Sequence, residues 1–183
     1  MNKIQDTVKI AKARLSFNSL FETELYNGED TGKYSATLIL DKNLHSNEIE
    51  TLKGQIEYMI RELEVKKLDD DKICLKNPSD TMLKVPEYLE GCLTIKATTK
   101  KKPMLLKKEH GELIVVQESD NLFYSGCYVN AIIRLWLQNN KYGKRINCSL
   151  EGLMFASDGD VLAKTIDKNE FSSFEDSVED LPF

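Results

Sequence analysis

Between Cys127 and Leu137 the side chains alternate in character at every residue, which constrains the chain more than any other feature. Cys127, Val129, Ala131, Ile133, Leu135 and Leu137 fall on one face, and Tyr128, Asn130, Ile132, Arg134 and Trp136 on the other. A period of two with one wholly apolar face predicts a strand whose inner side packs on a core. A turn at Asn139–Gly143 leads to a second alternating run, Arg145–Leu150, with Ile146, Cys148 and Leu150 inward. The outer face is chemically specific: two aromatics, an amide and a guanidinium suit stacking on flat rings and neutralising phosphates. The alternative is a plain amphipathic hairpin with Trp136 half-buried under a loop.

Other strands follow by the same pattern. Val8–Phe17 reads as a first strand whose phase slips near Ala11, as at a bulge. Asn27–Gly32 is a turn, and Lys33–Leu40 a second strand with Lys33, Ser35 and Thr37 outward. Cys92–Thr99 is a third, with Leu93, Ile95 and Ala97 inward and Thr94, Lys96 and Thr98 outward. Glu112–Gln117 is a short strand, and Val161–Ile166 a last extended piece. Glu151-Gly152 breaks the phase of the final long run.

The predicted helix spans 47–67. Ile49, Leu52, Ile56, Met59, Ile60 and Leu63 form one stripe, Asn47 and Glu50 suggest a capping box, and Lys66–Lys67 suit the C-terminal end of the dipole. Asp69–Glu90 reads as loop, and Lys100–Pro103 opens a mobile loop ending at His110-Gly111. One helix among about five short strands predicts a mainly β chain: an OB-like five-stranded barrel over 1–166, capped by the helix, with a disordered acidic tail over 167–183.

Charge is segregated. The net value of -5 equals the charge of residues 169–183, which hold Glu170, Glu175, Asp176, Glu179 and Asp180 and no base. Residues 91–108 carry six lysines and no acid, and 121–150 carry four bases and no acid. The predicted binding surface is Lys96, Lys100, Lys101, Lys102, Tyr128, Asn130, Arg134, Trp136, Lys141, Tyr142, Lys144 and Arg145, a basic and aromatic groove facing a nucleic acid strand. It requires Tyr128, Trp136 and Lys96 to share one face. The terminal Glu179-Asp180-Leu181-Pro182-Phe183 suits capture by a basic, apolar pocket on a partner protein.

Nothing points to catalysis. The sequence has no nucleophile elbow, phosphate-cradling glycine loop or histidine–carboxylate cluster. Four unpaired cysteines and two histidines argue against zinc, and the Asp69–Asp71 triplet reads as a solvated loop. No cofactor or metal is expected. The N-terminus lacks a signal-peptide core and no run is long enough to span a membrane, so a soluble cytoplasmic protein is expected.

The segments YSATLIL, TKKKP, YSGCYVNAIIRLW and YGKRINCSLEGLMFASDGD resemble the single-stranded DNA-binding proteins of tailed phages, over nearly the whole chain. Tyr124–Asn130 carries the most specific part. The resemblance implies sequence-tolerant binding of single-stranded DNA and recruitment of replication or recombination proteins through the tail. It also implies that the tail occupies the DNA groove when DNA is absent, that dimers are common, and that the setting is the bacterial host cytoplasm. The competing reading is an OB scaffold that works only through its C-terminal motif, without DNA.

Overall fold

The computed structural model describes residues 7–162. The expected extended piece beyond Leu162, the boundary at 166/167 and the acidic segment with Glu179–Phe183 lie outside the described residues.

Strand β1 (Val8–Ser19) buries Val8 and Ile10, then Ala13 and Leu15. The buried parity changes because its register against a later strand shifts between Ile10 and Ala13, where Lys12 has φ 54. This is the bulge that the phase slip near Ala11 predicts. Side chains satisfy its freed backbone groups. Lys12 N donates to Asn130 Oδ1 at 2.9 Å, and the Ala11 carbonyl lies 2.8 Å from His45 Nε2. Since His45 Nδ1 accepts from Asp41 N at 3.0 Å, the ring proton is assigned to Nε2.

β2 (Leu25–Tyr26) and β3 (Glu29–Asp30) form a small hairpin about Asn27-Gly28, both at positive φ as a two-residue I′ turn requires. β4 (Tyr34–Asp41) has Ala36, Leu38 and Leu40 in the core. Its other face is partly covered too: Ser35 is buried, and Ile39 packs with Leu89 and Cys92. Helix α1 (Ser46–Glu62) is shorter than predicted. Asn47 lies inside its first turn, so no Asn47–Glu50 box caps it. The Asp41 carboxylate instead accepts from Asn43 N and Leu44 N, at 2.8 and 2.9 Å, and holds the entry. Glu64, at φ 55, ends the helix, which leaves Lys66 and Lys67 beyond it.

The span 69–90 contains β5 (Leu75–Lys76) and a single-turn α2 (Pro78–Thr81). After β6 (Cys92–Thr99), the predicted mobile loop is mostly a hairpin of β7 (Met104–Glu109) and β8 (Glu112–Val115), turned at His110-Gly111. β9 (Tyr128–Asn140) and β10 (Gly143–Ser157) are the long hairpin, with a register shift between Leu150 and Gly152 where the phase break was expected.

The order β6-β4-β1-β9-β10 closes on itself where β6 meets β10 in parallel at Thr98 and Ser149. This is an OB-like five-stranded barrel, made by five of the strands the alternation predicts. β5 extends one side, and β7–β8 the other by parallel pairing with Gly152–Met154. Inside lie Ile10, Leu15, Leu38, Ile95, Val129, Ile133, Leu135 and Ile146, each contributing about 1.5–3 kcal/mol by leaving water. Leu52, Ile56, Met59 and Leu63 of the α1 segment join that core. No helix among the described residues is long and apolar enough to cross a membrane.

Candidate functional site

The long hairpin, the end of β6 and two flanking segments enclose a groove of ≈ 460 Å³ over the seam where the barrel closes. Lys96 and Thr98 reach it from the outer face of β6. Trp136 and Gln138 come from β9, and Arg145 and Asn147 from β10. One wall is the small hairpin with Glu24, Tyr26, Thr31 and Lys33; the other is the segment 71–76. Alternation places Trp136 here: it stands on the outer face, 37% exposed, opposite Asn147 on the neighbouring strand. The Asn147 amide donates to Gln138 Oε1 at 2.9 Å, which fixes the polar floor beside the indole.

Five cations line the groove (Lys33, Lys72, Lys76, Lys96 and Arg145), against two acids, Glu24 and Asp71. Lys96 Nζ is bonded to Glu24 Oε1 at 2.7 Å. Arg145 donates to the Asp71 carbonyl at 2.9 Å, and Lys76 to the Asp70 carbonyl at 3.1 Å. Backbone carbonyls thus hold these heads in place without neutralising their charge. Tyr26 stands over one wall, 71% exposed.

Of the predicted surface, Lys96, Trp136 and Arg145 meet in the groove. Tyr142 and Lys141 sit at the tip of the long hairpin, with the ammonium 5.0 Å from the ring centroid and Tyr142 well exposed. Lys144 donates to the Leu63 carbonyl at 3.0 Å. Lys100, Lys101 and Lys102 form the short connection past β6, where Lys102 lies 5.9 Å from the Phe21 ring centroid.

The other three are engaged elsewhere. Asn130 closes the β1 bulge, and Arg134 pairs with Glu151 at 3.6 Å. Tyr128 stands eight residues from Trp136, roughly 26 Å along a strand. Its ring is covered by Arg14, with the guanidinium 5.6 Å from the centroid, and by Gly159, where an added Cβ would come within 2.8 Å of the ring. Tyr128 therefore does not share the groove with Lys96 and Trp136.

The Tyr124–Asn130 segment as a whole has a structural task. Tyr124 Oη donates to Asp158 Oδ1 at 2.9 Å and accepts from Gly159 N at 3.0 Å. Arg14 donates to the carbonyls of Gly126 and Asp160. Gly126, at φ 117, lies so close to the Asp160 carbonyl that no Cβ fits there. Lys33, Lys72, Lys76 and Tyr26 escape a reading based on acid-free stretches, because each lies near acids in sequence. The outward position of Lys33 on the strand expected at 33–40 was the one usable signal; the strand itself begins at Tyr34.

Among the described residues no three histidine, cysteine or acidic side chains converge as a metal would require, and the Asp69–Asp71 triplet serves the groove wall through its carbonyls.

A family model described as the ssDNA-binding protein of Enterobacter phage Enc34 matches residues 6–181. A putative protein p50 of Acyrthosiphon pisum secondary endosymbiont phage 1 is 31% identical over 162 residues, 84% of each chain. Among solved structures, the single-stranded DNA-binding protein from bacteriophage Enc34 in complex with ssDNA is similar at TM-score 0.71 and 28% identity. That match covers 89% of this chain and 97% of the other. Its C-terminal truncation matches at the same TM-score and identity, over 88% and 95%.

Proposed function

Because the chain belongs to the family of phage ssDNA-binding proteins represented by that of Enc34, a family of binding proteins and not of enzymes, we propose that it binds single-stranded DNA in the groove over the barrel seam, without sequence preference. Trp136 and Tyr26 stack bases. Lys33, Lys76, Lys96 and Arg145 take up phosphates, and Lys100, Lys101 and Lys102 extend the path beyond β6. The observation that carries this reading is the convergence of an exposed indole and five cations on one groove. Stacking is indifferent to base identity and contributes about 1–3 kcal/mol per base.

The setting is DNA replication or recombination in the host cytoplasm. The acidic segment 169–183, tethered to the barrel, competes with DNA for the cations, and Glu179–Phe183 recruits partner proteins. The assembly is a homodimer through the outer face of β7–β10. There the register sets Met104, Leu106, Leu113, Val115, Ile132 and Met154 side by side, with Met104, Leu113 and Val115 each more than half exposed. Their exposed area, on the order of 400–500 Å², matches the apolar share of a standard interface of about 800 Å² per partner.

The test is direct, since Trp136 is the chain's single tryptophan. Oligo-dT quenches its fluorescence, and log K falls with log[salt] at a slope near -5, about 0.7 per phosphate for the seven basic residues on the path. Absence of both quenching and a negative slope would overturn the reading and favour the tail-only scaffold.

A further inference from the structure

Two of the four cysteines meet at the groove. Ile73 bridges Ile146 in parallel, and Cys74 N donates to the Ile146 carbonyl at 3.0 Å. Cys74, one residue on, and Cys148, two residues on, therefore lie on neighbouring hydrogen-bonded backbones. At strand spacing their Cα atoms are about 6 Å apart, inside the Cα–Cα range of disulfides, and the two thiols are in hydrogen-bonding contact. Both line the groove.

Their surroundings differ. Cys74 is half-buried, whereas Cys148 is almost wholly buried. A hydrogen bond from the Cys148 thiol holds the Cys74 thiol below the ordinary thiol value, against the opposing effect of burial and with Lys76 assisting. The same bond, with burial, pushes Cys148 well above that value. Burial pushes Cys92 and Cys127 up as well. A partly exposed, acidified thiol beside a second thiol able to resolve it is the arrangement of a redox-active pair.

We propose that Cys74 and Cys148 form a peroxide-oxidisable dithiol whose disulfide pins the Asp71–Lys76 wall of the groove to β10. The Cys74 thiolate attacks one oxygen of hydrogen peroxide; the O–O bond breaks, and the departing hydroxide takes up a proton as water. The Cys148 sulfur then displaces hydroxide from the Cys74 sulfenic acid, and its own proton leaves with that hydroxide as a second water. Two thiols and one peroxide become one disulfide and two waters, with two electrons passing from sulfur to oxygen. The bond closes a loop of roughly 75 residues, long enough to raise the unfolding midpoint.

The full-length protein treated with hydrogen peroxide, then alkylated, digested and weighed, should yield a linked Cys74–Cys148 peptide pair lighter by two hydrogens. Cys92 and Cys127 should remain alkylated. In Cys148→Ser, dimedone should label Cys74, because the sulfenic acid has no resolving thiol. Prior oxidation of Cys92 or Cys127, bridges between molecules only, or no linked pair at peroxide doses that label Cys74 in Cys148→Ser would overturn the proposal. The link to the groove rests on the proposed function: saturating oligo-dT should slow bridge formation several-fold. A bridge that forms equally fast with and without DNA leaves the dithiol standing and counts against the groove as the DNA site.

Discussion

Lys96 and Glu24 are bonded at 2.7 Å across the candidate groove, although 72 residues separate them in the chain. A central cation of the site is thus neutralised, and a phosphate bound there would have to displace the acid. Glu24→Gln should tighten oligo-dT binding two- to fivefold at low salt, with the gain fading at high salt as screening removes the competition. Lys96→Ala should weaken binding and make the salt slope shallower by about 0.7. A neutral Glu24→Gln at low salt would show that DNA does not reach this pair.

Trp136 and Tyr128 occupy the same face of β9 by sequence parity, but only Trp136 lies in the groove. Trp136→Ala should lose about 1–3 kcal/mol of DNA affinity, a factor of roughly 5 to 150, with little change in thermal midpoint. Tyr128→Ala should do the reverse, lowering the midpoint by several degrees because Arg14 and the 158–160 segment lose their platform. Titration of DNA and a melting curve on both variants separate the two roles.

Removal of residues 169–183 takes away five acids and no base. Low-salt affinity for oligo-dT should rise severalfold, and full-length and shortened protein should converge above about 0.3 M salt as the Debye length shortens. Unchanged or weaker binding of the shortened protein would remove the tail as a competitor.

Homodimers through the apolar face predict that Met104→Glu combined with Leu113→Glu lowers the mass seen by sedimentation equilibrium to that of one chain. Both side chains are more than half exposed, so the fold should survive the change. A wild-type protein that sediments as a monomer at micromolar concentration would overturn this assembly.

The Asp41 carboxylate is held below its ordinary pKa by the backbone N–H groups of Leu44 and Asn43. A depressed folded-state pKa stabilises above the ordinary carboxylate value, and the stabilisation is lost as pH falls through the lowered one. Asp41→Ala should therefore lower stability at neutral pH, because the N–H groups of Asn43 and Leu44 lose their acceptor ahead of the helix. The difference from wild type should vanish in strong acid. Urea midpoints across the acid range decide this.

Much of the barrel was legible because its strands carry short-period signals. The alternation through β9 and β10, the slip at the β1 bulge and the stripe on α1 depend only on neighbours a few residues apart. β7 was missed for the opposite reason. Met104–Glu109 has little alternation of its own and becomes a strand by pairing on both sides, with Glu112–Val115 across the His110-Gly111 turn and in parallel with Gly152–Met154, nearly fifty residues later. The α1 cap was misassigned because Asn47 and Glu50 had suitable letters, while Asp41 held the entry from the end of the preceding strand.

In the site, parity told correctly that Trp136 and Lys96 point outward, but outward does not mean uncovered. Tyr128 and Asn130 point outward into Arg14, Gly159 and the β1 bulge, none of which is near them in sequence. The acid-free stretches suggested a groove without negative charge, and Glu24 and Asp71 entered it from other segments. The sequence by itself determined the strand faces, the capping helix and the segregation of charge, since these follow from local period and composition. Only the tertiary structure decided which outward side chains are free and which cations are paired, because closing the barrel at Thr98 and Ser149 brings distant segments to the walls of one groove.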